Sequence, residues 1–287
     1  MKRAIPMILA VLMLFMAGCS TEQAPAAAQP STPGTVVTEP TVPTIPTVPT
    51  VPGTLDENGD GLVNWIALGD SITQGYYSYL DESGKGVLAL NANQCWAQYV
   101  ADSTGWALTN SGVGGSGYVH PATVLDKISG REHIDKMDFS GAELVTLAFG
   151  INDWKGNQPL GTMEDDIAAG GTFYSNMRYC IEKIRTDSPE AEIVVIAPLN
   201  SWRYGYASKG WSLSYKFYQS KTLQDVYNAM QEVCTHYGLP MIDLTHNEEI
   251  NGDIVNWLPD GVHPSLEKHK RLAEILEEAL KKVLPAR

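Results

Sequence analysis

From about Leu62 onward the chain alternates short, β-rich apolar runs with longer stretches in which apolar residues recur every three or four positions. The first pattern predicts strands over Val63–Leu68, Trp106–Asn110, Leu144–Phe149, Glu192–Ala197 and Pro240–Leu244, since each run is too short for a helix and is bounded by turn-forming or polar residues. The second predicts helices. The clearest carry Leu223, Val226, Tyr227, Met230, Val233, Cys234 and Tyr237, and then Leu272, Ile275, Leu276, Ala279, Leu280 and Val283, each set forming one apolar stripe. Strands separated by helices imply a parallel sheet of about five strands with helices on both faces, a three-layer α/β/α sandwich. Ligands of such sheets bind at the carboxyl ends of the strands, so the loops that follow each strand are where chemistry is to be sought.

Ahead of this region the pattern changes twice. Lys2 and Arg3 precede an apolar run from Ala4 to Ala17 that ends in Gly18-Cys19-Ser20. The run is shorter than the roughly 20 residues a membrane-spanning helix needs, and reads as a signal peptide cleaved before Cys19. It resembles a bacterial lipobox, which implies a diacylglycerol on Cys19 and an extracytoplasmic, membrane-anchored protein. Met16 is a less usual residue at the first lipobox position, so ordinary secretion stands as the alternative. Residues 20–54 hold eight of the 17 prolines, with four consecutive Thr-x-Pro triplets from Thr41 to Pro52. Such a composition cannot build a packed core and favours polyproline II. The expected organisation is a signal peptide over 1–18, a Thr/Pro-rich tether over 19–54 and a catalytic domain over 55–287; fully extended, the tether would reach about 100 Å at about 3.1 Å per residue.

Composition narrows the picture. Of 287 residues, 44% are hydrophobic and 18% charged, enough for one full core. The formal charge of −13 becomes −15 once Lys2 and Arg3 are removed, which argues against nucleic acid as a partner. Beyond Cys19 there remain Cys95, Cys180 and Cys234, an odd number with apolar neighbours at helical spacing, read as buried free thiols. Asp56, Asn58 and Asp60 match the opening of an EF-hand loop, but Ala67 stands at the twelfth position, where a bidentate Glu is needed. A turn that closes the tether is the first reading of this segment, and a calcium loop the second.

Four loops carry the chemistry. They are Gly69-Asp70-Ser71-Ile72-Thr73, Asn110-Ser111-Gly112-Val113-Gly114-Gly115-Ser116-Gly117, Gly150-Ile151-Asn152-Asp153 and Asp260-Gly261-Val262-His263-Pro264. In this order, across residues 63–284, they resemble the sequence blocks of the SGNH hydrolases, also known as GDSL esterases. The resemblance implies a flavodoxin-like three-layer fold and ester hydrolysis through an acyl-enzyme without a cofactor. It places Ser71 as nucleophile, Asp260 and His263 as the rest of a triad, and Ser71, Gly115 and Asn152 around an oxyanion hole.

Elementary chemistry asks for the same set. A serine hydroxyl needs a neighbouring base, and an imidazole can take its proton and pass it to the leaving group. A carboxylate must orient that imidazole, and Asp260 lies three residues before His263 in a Pro-bounded turn. The developing oxyanion needs preorganised donors, here the Ser71 and Gly115 N–H groups and the Asn152 amide. The bland alternatives are a helix-capping Ser71, and His120, His133, His236, His246 or His269 as base. Asp70 and Asp153 read as loop-bracing residues. Gly112-Val113-Gly114-Gly115-Ser116-Gly117 also fits a dinucleotide-binding pattern, which should then open a helix, yet Tyr118-Val119-His120-Pro121 is a poor helix start.

An aromatic cluster follows the fourth predicted strand, with Trp202, Tyr204, Tyr206, Trp211, Tyr215, Phe217 and Tyr218, while Trp154 and Trp257 flank other loops. They either cover the open end of the sheet or contact substrate; Trp154, Trp202, Tyr204 and Trp257 are the substrate candidates. The expected activity is hydrolysis of carboxylic esters on a cell-surface or extracellular substrate, with acylated carbohydrate ahead of lipid. A lipase or lysophospholipase is the second reading, and a catalytically silent binding lipoprotein the third. An acyltransferase would use the same residues.

Overall fold

In the first strand, Trp65 and Ala67 face one way, and Ile66 and Leu68 the other. Both faces are apolar because both are covered, as the period of two requires of a central parallel strand. A computed structural model describes residues 55–56, 59–119, 128–201 and 221–285. Its elements are β1 (Asn64–Gly69), α1 (Ser71–Gln74), β2 (Tyr76–Leu80), β3 (Gly86–Leu90), α2 (Trp96–Thr104), β4 (Ala107–Gly112), α3 (Gly130–Ile134), β5 (Leu144–Ala148), α4 (Ile151–Lys155), α5 (Phe173–Asp187), β6 (Glu192–Ile196), α6 (Leu223–Tyr237), β7 (Met241–Ile242), α7 (Glu248–Gly252), α8 (Ile254–Trp257) and α9 (Leu266–Val283).

Five strands form one sheet in the order β4-β1-β5-β6-β7, with every pair parallel. Each of the five predicted strands is present, shifted by one or two residues. The last is two residues long against five predicted; Pro240 has no N–H to give the ladder, and by Asp243 the chain has left the sheet. One face carries α3, α5 and α6 over Leu68, Val145, Leu147, Ile193 and Val195. The other carries α2 and α9 over Trp65, Ala67, Leu144, Val194 and Ile196. The Trp65 indole, fully buried, donates to Thr146 Oγ1 at 3.0 Å, so its polar atom is not left bare. Helices α5 and α6 open on capping boxes at Thr172 and Thr222, which satisfy orphan amides at the turn where each begins.

One element was not predicted. Between α1 and α2 the chain folds as an antiparallel hairpin, with Tyr76 opposite Leu90, Ser78 opposite Leu88 and Leu80 opposite Gly86. Its turn is organised by Asp81, whose carboxylate accepts from Ser83 N and Lys85 N at 2.9 and 3.0 Å.

Cys95, Cys180 and Cys234 are buried and free. Asp56 and Asp60 accept the Gly61 and Leu62 amides at 3.0 and 2.8 Å, the bonding of a turn. Cys19, Asn58, His120, the whole tether and the aromatic run 202–218 lie outside the described residues.

Candidate active site

The loop that carries Ser71 is compact because β1 passes into α1 with a single residue between them. That residue, Asp70, caps α1 by accepting the Ile72 amide at 2.9 Å. Burial pushes its carboxyl up to about 6, against the pull of the Ile72 N–H and of the His263 and Lys155 charges. Gly75 ends the single turn at φ 105, a conformation that glycine adopts without strain. Ser71 thereby stands at the first position of a one-turn helix, at the carboxyl end of a central strand.

From the other end of the chain, the loop between α8 and α9 reaches the same place. His263 Nε2 lies 2.9 Å from Ser71 Oγ. His263 Nδ1 lies 2.8 Å from Asp260 Oδ2, while Asp260 Oδ1 accepts the Val262 and His263 amides at 2.9 and 2.8 Å. Burial alone would raise the Asp260 pKa; the bond and charge of His263, with the two amides, outweigh it and hold the carboxyl down at about 2. The imidazole and carboxylate side chains are 10% and 7% exposed, so water competes little for either partner.

The hairpin holds this loop from behind. Ser78 N donates to Pro264 O at 2.9 Å, and Asp260 N donates to Ser78 Oγ at 3.2 Å. His269, on α9, donates from Nε2 to Tyr76 O at 2.9 Å and accepts from Trp96 N at 3.3 Å; burial lowers its pKa to about 4, which keeps it neutral. It is a structural pin, not a base.

The glycine-rich loop after β4 is fixed at several points. Val113 N donates to Gly69 O at 2.9 Å and Gly114 N to Gln74 Oε1 at 2.6 Å. Gly115 stands at φ 81. Asn152 Nδ2 donates to Ser116 O at 2.8 Å, and the next residue, Asp153, accepts Tyr118 N and Val119 N at 3.0 and 2.8 Å. Asp153 is fully buried, which pushes its carboxyl up to about 7 in spite of the two amides and the nearby Lys221 charge. Asp70 and Asp153 thus do brace loops, one the Ser71 turn and the other the glycine loop. No helix follows that loop within the described residues up to Val119, so the dinucleotide pattern lacks its structural partner.

A second Asp-x-x-His segment shows what the spacing alone does not specify. Asp243 accepts His246 N at 2.9 Å and lies 2.8 Å from its Nδ1, the same local arrangement as Asp260 with His263. Its Nε2 faces Gln224 Oε1 at 2.9 Å instead of a hydroxyl. His133, on α3, meets Ser111 Oγ of β4 at 3.0 Å.

Two of the aromatic candidates need correction. Trp154 and Trp257 are 3% and 1% exposed and belong to the two cores; Lys268 Nζ covers the Trp257 ring at 5.0 Å. Rings packed inside a core have no free face for a substrate. Trp202 and Tyr204 lie outside the described residues. The residues that sequence reasoning missed are Gln74, Tyr76 and Ser78. The signal that could have found them is the run of alternating residues after Gly75, answered by a second run beyond an Asp-Glu-Ser-Gly turn.

A sequence profile of the GDSL-like Lipase/Acylhydrolase family matches residues 67–271. No curated protein matches the chain. Among solved structures, one is 26% identical over 78% of this chain and 98% of its own length, with a TM-score of 0.65. An aryl esterase of M. smegmatis is 13% identical, covering 77% of this chain and 100% of its own, with a TM-score of 0.56. A carbohydrate acetylesterase from Sinorhizobium meliloti is 15% identical, covering the same 77% and 100%, with a TM-score of 0.55.

Proposed function

Because the chain belongs to the GDSL-like lipase/acylhydrolase family, we propose that it hydrolyses carboxylic esters through an acyl-enzyme on Ser71. The observation that carries this reading is the relay Ser71 Oγ, His263 Nε2, His263 Nδ1, Asp260 Oδ2, with contacts of 2.9 and 2.8 Å. His263 takes the Ser71 proton as Oγ attacks the ester carbonyl, then delivers it to the departing alcohol; water repeats the cycle on the acyl-enzyme. Asp260, ionised down to about pH 2, orients the imidazole and balances the charge it gains. The oxyanion is met by the Ser71 and Gly115 amides and by the Asn152 Nδ2 hydrogen not engaged with Ser116.

The substrate we favour is an acylated carbohydrate at the cell surface, supported by the aromatic run 202–218 in the sequence. One observation favours lipid instead: Leu80, Leu88 and Leu90 stand 46–57% exposed on the hairpin beside the triad. A panel of acetyl, butyryl and long-chain nitrophenyl esters, run beside acetylated oligosaccharides, separates the two. Preference for long chains reverses the order, and a Ser71→Ala protein that keeps most of its activity overturns the mechanism.

We also propose that Cys19 bears the lipid anchor, that 19–54 is the tether and that the catalytic domain from residue 55 works outside the cytoplasm. Metabolic labelling with a fatty acid should mark the wild type and not Cys19→Ala; labelling that survives the change refutes the anchor and leaves the enzyme reading intact.

A further inference from the structure

The side chain of Tyr76 lies where the two halves of the site meet. Its ring centroid is 6.3 Å from that of His263, tilted by 45°. On the other side it borders the glycine loop: a Cβ on Gly114 would come 3.3 Å from Tyr76 Cε2 and 3.7 Å from Ser71 Cβ. Nucleophile, base, glycine loop and Tyr76 therefore surround one small region. The backbone that carries the ring is held there, since the Tyr76 carbonyl is pinned by His269 and the Gly75 carbonyl accepts Asn91 N at 2.9 Å. Leu90, directly opposite Tyr76 across the hairpin and half exposed, shares its face and extends the apolar surface outward. Among the described residues the Tyr76 hydroxyl has no hydrogen-bond partner.

Which half of an ester meets this surface follows from the proton path. His263 Nε2 must reach the oxygen of the departing alcohol to protonate it, so the group carried by that oxygen lies against whatever flanks the imidazole. Tyr76 flanks it. An aromatic ring beside a leucine offers stacking, and the phenol offers one hydrogen bond. Together they suit an alcohol that is itself a ring with an apolar face and hydroxyls at its edge. We propose that Tyr76 is a specificity-determining residue that carries the alcohol portion of the ester, and that this alcohol is of the sugar class. The inference rests on the ester-hydrolase reading above and names its substrate side.

The test uses the full chain as wild type, Tyr76→Phe and Tyr76→Ala. The substrates are acetates of three alcohols (ethanol, nitrophenol and a monosaccharide), with a nitrophenyl series of increasing acyl length. The acetates share one acetyl-enzyme, so differences among them report on the alcohol. Tyr76→Ala should lose about 10-fold or more in kcat/KM on the sugar and aryl acetates, and less than about threefold on ethyl acetate. Tyr76→Phe, which keeps the ring, should retain the aryl acetate rate and lose about fivefold on the sugar acetate alone. Equal loss on all three acetates, or no loss, overturns the inference, as does a changed acyl-length preference with the alcohol ranking kept. Failure of the underlying reading looks different: the wild type would hydrolyse none of the esters, and a fluorophosphonate would leave Ser71 unlabelled.

Discussion

The Ser78 hydroxyl donates a 2.7 Å hydrogen bond to the carbonyl of His263. Through it, a hairpin that contains none of Ser71, Asp260 and His263 fixes the backbone of His263. The same hairpin also presses on the acid, because Gly86, opposite Leu80, leaves no room beside Asp260.

A Cβ on Gly86 would come 2.7 Å from Asp260 Cα and 2.9 Å from its Cβ, closer than real atoms approach. Gly86→Ala should therefore push Asp260 out of register with His263 and lower kcat by about 10- to 100-fold, the scale of a sub-ångström to 1 Å misplacement. Melting temperature measured alongside kcat distinguishes a displaced triad from general unfolding; wild-type kcat in the Gly86→Ala protein would show that the hairpin yields instead.

Ser71→Ala and His263→Ala should each abolish turnover, by up to about 10⁶-fold, with the fold kept. Asp260→Asn should cost less, on the order of 10⁴-fold, since it removes orientation and charge balance but leaves nucleophile and base. Single-turnover rates on a nitrophenyl ester give the ranking, and a variant at His263 with near wild-type rate would transfer the base to another residue.

Asn152→Ala should lower kcat by about 100- to 1,000-fold, or about 2.7 to 4 kcal/mol, with KM changed only a few-fold. Its proposed partner exists only after Ser71 has attacked. The side chain also donates to Ser116 O, so some loss of thermal stability accompanies the change. If stability alone falls and kcat holds, Asn152 is a brace and not an oxyanion donor.

Asp153 makes the clearest pH prediction. Burial raises its carboxyl from 3.8 to about 7. Between those values the unfolded chain releases a proton that the folded protein retains. Its contribution to stability is therefore complete below about pH 4 and is lost as the pH rises through about 7. Asp153→Asn removes this titration. The difference in melting temperature, wild type minus variant, should shrink from pH 4.5 to 7.5; a difference that grows over this range would mean that the two amides win over burial.

The sheet and the four loops of the candidate site were legible because each has a local signature. Parallel strands buried on both faces read as continuous apolar runs, and Ser71, Asn152, Asp260 and His263 stand in short motifs at strand or turn ends. Spacing had a limit: Asp243 and His246 repeat the local geometry of Asp260 and His263, and only the group facing Nε2 separates them. The hairpin was not legible, because Tyr76–Leu80 is short and half exposed, and its worth lies in contacts with residues nearly two hundred positions away. Trp154 and Trp257 were misread for a related reason. Aromatic type and nearness to a loop are visible in sequence, whereas the direction a ring takes depends on packing.

Ser71 and His263 are 192 residues apart in the chain, and the helix that follows His263, α9, packs against α2. Until α9 has docked on α2, Ser71 is an ordinary hydroxyl with no partner to activate it. On the proposed mechanism, the pairing of Ser71 with His263 is thus a reporter of long-range closure, since it joins the end of β1 to the turn before α9.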